Sequence, residues 1–266
     1  MKLHILSDVH SELGDFKPPR TDADVIVLAG DIGLGVEGIE WAERTFSVPV
    51  IYVLGNHEFY SNCFNRLVDT ARERCLGSHV HLLEEESVIL DGIRFLGASL
   101  WTDFALLGHG EVERNMGYAE LNMTDYQQIV ASRSGGHSFP KLSPRLTLAR
   151  HHANRDFLER SLERQPVSEN WQKTVVVTHH APSARSLKGG KPGDRLDAAY
   201  ASHLDHLVAK ADLWIHGHTH VATDYRALQI GRFPKAGRRV VSNPRGYADY
   251  GPDAVVGFDP GLTVEI

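Results

Sequence analysis

A chain of 266 residues with 42% hydrophobic content is long enough to bury a core unaided, and its two cysteines, Cys63 and Cys75, exclude a disulfide framework and a CxxC metal site. The formal net charge of −6 offers no general attraction to polynucleotide backbone or anionic membrane, so long nucleic acid is not an expected partner. The N-terminal run MKLHILSDVH is broken by His4 and Ser7 and is too short for a signal-peptide core or a membrane span, so a cytoplasmic protein with free thiols is expected.

Apolar, β-rich runs at residues 3–6, 25–29 and 50–54 each stop at polar residues: Ser7 and Asp8, then Gly30 and Asp31, then Gly55, Asn56 and His57. Between them, residues 36–46 and 64–75 carry helical spacing, so the first third reads β-α-β-α, the pattern of parallel strands joined by crossover helices. Extended runs follow at 87–90 and 93–96. From about 102 to 165 the rhythm is interrupted by two helical-looking pieces around a Ser- and Gly-rich break at 132–138, expected to be an insertion over the site rather than a separate domain. Strands return at 174–177, leading into Thr178, His179 and His180, and at 213–215, leading into His216, Gly217, His218, Thr219 and His220. Further strands are expected at 240–242, 254–258 and 262–266, some of them antiparallel, within one domain spanning 1–266. Ligands of such sheets gather beyond the carboxyl ends of the strands.

An Asp or His at one strand end is more often a cap or a satisfied polar group than a ligand. Here five ends carry, in order, DVH at Asp8, GD at Asp31, GNHE at Asn56, THHAP at His179 and GHTH at His218. Residues i and i+2 of an extended chain face the same side, so Asp8 with His10, and His218 with His220, can each present two groups to one region. Gly30, Gly55 and Gly217 permit tight turns and close backbone approach. Carboxylate oxygen and neutral imidazole together suit Mn, Fe, Zn, Ni or Co better than Ca or Mg, which call for mostly oxygen donors.

This ordered set resembles the five signature motifs of the calcineurin-like metallophosphoesterases. The resemblance implies an α/β fold, a sandwich of two mixed β-sheets flanked by helices, and two divalent or trivalent transition-metal ions. By motif position, one ion would take Asp8, His10 and His220, the other Asn56, His179 and His218, and Asp31 would bridge both. The neighbouring His180 stays open as an alternative to His179. Only two carboxylates then face the metal charge, leaving a net positive site even with a bridging hydroxide, suited to a phosphoester. His57, by the same resemblance, is no ligand but the proton or hydrogen-bond donor to the leaving oxygen, and Glu58 would orient a histidine.

The implied activity is hydrolysis of a small organic phosphodiester or phosphomonoester, with a nuclease or a protein phosphatase as the alternative and a non-enzymatic scaffold disfavoured because no ligand position is lost. Arg185, Arg195 and Arg245, with Lys188 in the KGGKPGDR stretch, are candidate contacts to substrate phosphate. His151, His152, His203 and His206 read as surface histidines, and Trp101, Tyr118 and Tyr126 as packing residues.

Overall fold

The apolar runs become strands of two packed sheets. The computed structural model describes residues 1–132, 139–163, 171–226, 238–247, 255 and 257–266. In the first sheet β1 (Lys2–Leu6), β2 (Val25–Ala29), β3 (Val50–Val53) and β4 (Val80–Leu82) run parallel, and β11 (Thr263–Glu265) pairs antiparallel with β1. The second sheet has the order β5 (Glu86–Leu90), β6 (Ile93–Ala98), β7 (Lys173–Thr178), β8 (Leu213–His216), β10 (Arg239–Ser242) and β9 (Thr223–Arg226). Its four inner strands are parallel, and β5 and β9 close the edges antiparallel.

Alternation along each strand places two cores. Leu3, Ile5, Val25, Val27, Ile51 and Val53 of the first sheet face Phe95, Val175, Val177, Leu213, Ile215 and Val241 of the second. Each such side chain taken from water contributes about 1.5–3 kcal/mol. The opposite face of the first sheet, with Ile26, Leu28 and Tyr52, packs on Ile39 and Ala42 of α1 (Glu37–Thr45) and on Phe64, Leu67 and Ala71 of α2 (Phe64–Arg74). The outer face of the second sheet meets Leu158 of α5 (Pro144–Glu163) through Leu96, Val176 and Trp214. The layers are therefore helix, sheet, sheet, helix.

Two strands escape the sequence pattern: β4 is three residues long, and β9, TDYR, is a polar edge. The break at 133–138 lies outside the described residues, and of the expected strand at 254–258 the described residues 255, 257 and 258 are not in a strand, Gly257 taking left-handed backbone at φ +95°. Within 102–165, α3 (Val112–Asn122) and α4 (Asp125–Gln128) lie toward the carboxyl ends of the strands, whereas α5 lies against the second sheet. Among the described residues no helix is long and apolar enough to cross a membrane.

Candidate metal centre

Both sheets deliver their polar residues to one edge. Asp8 and His10 follow β1, Asp31 follows β2, Asn56 and His57 follow β3, His179 follows β7, and His218 and His220 follow β8. The turns do not use strand alternation, as the i, i+2 reading assumed. Asp8 (φ 50°), His10 (φ 51°), Asp31 (φ 54°), His218 (φ 66°) and His220 (φ 49°) all take left-handed backbone, at a cost of about 1–2 kcal/mol each. Hydrogen bonds hold them there: Asp8 N donates to Gly30 O at 2.9 Å, His10 N to Asp31 O at 3.0 Å, and Gly246 N to Asp8 O at 2.9 Å. Glycine is required at Gly55, where a Cβ would collide with the Asp31 carboxylate.

The donor atoms form two groups on either side of Asp31. In one, His10 Nε2 lies 3.2 Å from His220 Nε2, and His220 Nε2 lies 3.4 Å from Asp8 Oδ1. In the other, His179 Nε2 lies 3.0 Å from Asn56 Oδ1 and 3.4 Å from Asp31 Oδ2, with His218 beside them. Asp31 Oδ2 is also 4.0 Å from His10 Nε2, so one carboxylate oxygen lies near both groups. His179 Nδ1 donates to Ala29 O at 2.9 Å, which fixes a proton on Nδ1 and turns Nε2 toward the cluster. His180 instead sends Nδ1 to Ser99 O at 3.2 Å.

These residues fit a pair of metal ions. Asp8 Oδ2 and His218 Nε2 are buried without a hydrogen-bond partner, an arrangement that is costly unless something else satisfies them. Burial disfavours the charged form of His179, but the carboxylates of Asp31 and Asp8 outweigh it and push the imidazole up to about 10. Burial likewise opposes protonation of His57, and the Asp31 charge and the Glu12 hydrogen bond push it up to about 9.

Several residues that the sequence did not single out complete the centre. Glu12 Oε1 receives His57 Nδ1 at 2.8 Å and His10 Nδ1 at 3.0 Å. Asp125 Oδ1, on α4, receives Asn56 Nδ2 at 2.9 Å and the Tyr60 hydroxyl at 2.7 Å. Tyr60 stacks on His57 with ring centroids 4.2 Å apart, and the Tyr247 hydroxyl lies 3.4 Å from His57 Nε2. Beside the two carboxylates of the expected ligand set, Asp8 and Asp31, the fold thus brings two more acids, Glu12 and Asp125, against members of the cluster. Glu12 lies two residues past His10 in a region with no strand or helix periodicity, and Asp125 is 69 positions from Asn56, so neither leaves a local signal.

Glu58 does not orient a histidine. Its buried carboxylate accepts from Asp31 N at 3.0 Å, Ile32 N at 2.9 Å, Gly55 N at 2.7 Å and the Tyr52 hydroxyl at 2.7 Å, pinning the β2 and β3 turns together. His151 is buried rather than on the surface, and donates through Nδ1 to Leu100 O at 3.0 Å, whereas His152, His203 and His206 are exposed. Trp101 and Tyr126 are core residues and Tyr118 is exposed.

A cavity of about 930 Å3 opens on the cluster, lined by His57, Tyr60, Asp125, Lys188, Tyr200 and Tyr247 among others. Lys188 is the only lysine or arginine among its described lining residues. The three candidate arginines have protein partners away from that wall. Arg185 donates to Arg226 O at 2.8 Å and stacks on Tyr225; Arg195 pairs with Glu111 at 2.9 Å and Asn115 at 2.7 Å; Arg245 donates to Val9 O at 2.7 Å.

Oxygen and imidazole donors gathered at the carboxyl ends of strands from two stacked sheets define a metal-dependent hydrolase of phosphoesters. Residues 1–222 match the model of the calcineurin-like phosphoesterases, and the chain belongs to that family. It is similar to an uncharacterised protein of Acanthamoeba polyphaga mimivirus, 22% identical over 295 residues that cover 97% of this chain and 96% of the relative. Its fold is similar to that of the phosphopantetheinyl hydrolase from Mycobacterium tuberculosis, with a TM-score of 0.67 and 18% identity over 93% of this chain and 90% of the other. A dimetal phosphatase from Danio rerio aligns over 93% of this chain and 88% of its own at a TM-score of 0.47 and 14% identity. The family implies two transition-metal ions.

Proposed function

We propose that the protein hydrolyses a small organic phosphodiester or phosphomonoester at a two-metal centre. One ion would be held by Asp8, His10 and His220, the other by Asn56, His179 and His218, with Asp31 available to both. The observation that carries this reading is the position of Asp31 Oδ2, within 3.4 Å of His179 Nε2 and 4.0 Å of His10 Nε2, between the two donor groups. The donor set suits Mn, Fe, Zn, Ni or Co. When bound, the ions supply Lewis acidity at the phosphoryl oxygens and an acidified water for attack.

The side chains do the remainder. His57 lines the cavity, and Glu12 Oε1 holds its Nδ1 at 2.8 Å, so it is placed to give a proton to the leaving oxygen, an effect worth about 10²–10⁴ in rate. Residues 122–125, the part of the expected insertion that lines the cavity, and Tyr60, Tyr200 and Tyr247 form the wall against which the leaving group would sit. Lys188 is the remaining candidate for a contact with substrate phosphate. Asp125, Asp194 and Asp197 along the same cavity disfavour a long polyanion, which speaks for a small ester over nucleic acid. The free thiols of Cys63 and Cys75 fit a cytoplasmic setting.

The test is a screen of protein reconstituted with each metal against 4-nitrophenyl phosphate, bis(4-nitrophenyl) phosphate, cyclic nucleotides, single-stranded DNA and a phosphopeptide. Turnover of the small esters that is lost on chelation is expected. Preference for DNA or the phosphopeptide, or no turnover by fully loaded protein, would overturn the proposal.

A further inference from the structure

The geometry points to Glu12 as a positioning residue that ties a metal ligand to the proton donor, one carboxylate oxygen holding His10 and His57 at once. This rests on the reading that His57 protonates the leaving oxygen. Glu12 Oε1 lies 3.0 Å from His10 Nδ1 and 2.8 Å from His57 Nδ1, and the two rings sit 4.4 Å apart at 69°. An ionised carboxylate only accepts, so both Nδ1 atoms must carry hydrogen. Both Nε2 atoms are thereby turned to the centre, that of His10 toward His220 at 3.2 Å and that of His57 toward Asp31 Oδ2 at 4.0 Å.

The turn that brings Glu12 there is closed by Leu13 N donating to His10 O at 2.9 Å, with His10 itself in the left-handed region. The side chain is 13% exposed, so this is not a solvated surface pair, which would contribute little. Among the described residues, the two other buried carboxylates nearest His57 in the chain or across the cavity hold other groups. Glu58, adjacent to His57 in sequence, is taken up by Asp31, Ile32, Gly55 and Tyr52, and Asp125 holds Asn56 and Tyr60. A displaced Glu12 would therefore disturb two functions together: the orientation of a ligand and that of the acid.

The experiment compares wild type, E12Q, H57N and E12Q/H57N on phenyl phosphate and 4-nitrophenyl phosphate, two esters of one phosphate whose leaving groups differ in their need for a proton, alongside calorimetric titration of the metal-free proteins with Mn2+. E12Q keeps the size of the side chain but replaces one acceptor oxygen with a donor. Expected are Mn2+ binding weakened about 10–100-fold, and a turnover of the phenyl ester that falls about 10-fold further than that of the nitrophenyl ester at saturating metal. The double variant should show no larger ester ratio than H57N alone. E12D, which keeps the charge but withdraws it by one methylene, should show the same two changes in smaller measure and stands in if E12Q does not fold. An ester ratio changed in H57N but not in the Glu12 variant, or unchanged Mn2+ affinity, overturns this inference alone. A ratio unchanged in H57N overturns the acid role of His57 and, with it, this one.

Discussion

Asp125 accepts the side-chain amide of Asn56 at 2.9 Å and so decides which way that amide points, leaving Asn56 Oδ1 to face His179 Nε2 at 3.0 Å. Asn can present either face, and only a fixed acceptor behind it makes its oxygen a dependable ligand. Asp125→Asn offers an amide that can donate as well as accept, and should let Asn56 turn. The expected result is about a 10–100-fold weaker affinity for one of two metal equivalents, read by titration against a competing chelator. Two unchanged equivalents would show that Asp125 serves the wall of the cavity and not the centre.

Asp31→Asn keeps the shape of the residue but removes the charge placed between the two donor groups. The repulsion of two divalent ions about 3.5–4 Å apart then goes unopposed, so at least one equivalent of metal and all hydrolysis should be lost. Asp103→Asn is the control, because Asp103 Oδ1 accepts Ala105 N at 2.9 Å and belongs to neither donor group, and both ions should remain. An Asp31→Asn protein with two tightly held ions and near-normal turnover would falsify the bridging role.

Metal uptake should release protons. His179 stands at about 10 in the ion-free protein, so near neutral pH its Nε2 holds a proton that an ion must displace. Raising the pH removes that competitor, so affinity should climb between about pH 7 and 9 and level off near 10. Calorimetry in two buffers of different ionisation enthalpy should return about one proton or more per chain at pH 7. Uptake without proton release would mean that the His179 imidazole is already neutral at pH 7.

Gly30→Ala should damage the centre from behind. Gly30 has φ +85°, and a Cβ there would strike the His179 ring. Gly77 has φ +75° with open space around it, so Gly77→Ala bears the left-handed backbone cost alone, about 1–2 kcal/mol in urea unfolding. Gly30→Ala should lose more stability than that and bind metal poorly; equal losses in both proteins would mean that the ring moves aside freely.

What the sequence determined by itself is local. Apolar runs that stop at polar residues mark β1, β2, β3, β7 and β8, and their ends present Asp8, Asp31, Asn56, His179 and His218, because a buried parallel strand must break its apolar pattern where it meets the ligand-binding edge. The helices α1 and α2 were legible for a similar reason, their buried stripes recurring at helical spacing.

Only the tertiary structure decided the rest. Strand order, and the parallel pairing of β10 with β8, depend on contacts that no local period encodes. Asp and His tolerate left-handed backbone better than most residues, but the turns at Asp8, His10 and Asp31 are held by hydrogen bonds between the ends of neighbouring strands, which only the packed chain brings together. Arg185, Arg195 and Arg245 carry charge that the sequence makes available to a phosphate, yet carbonyls and acids brought in by the fold reached them first. Glu12 and Asp125 acquired their places in the same way: a carboxylate has no role until folding sets an imidazole or an amide within about 3 Å of it, and that distance is a property of the packed chain.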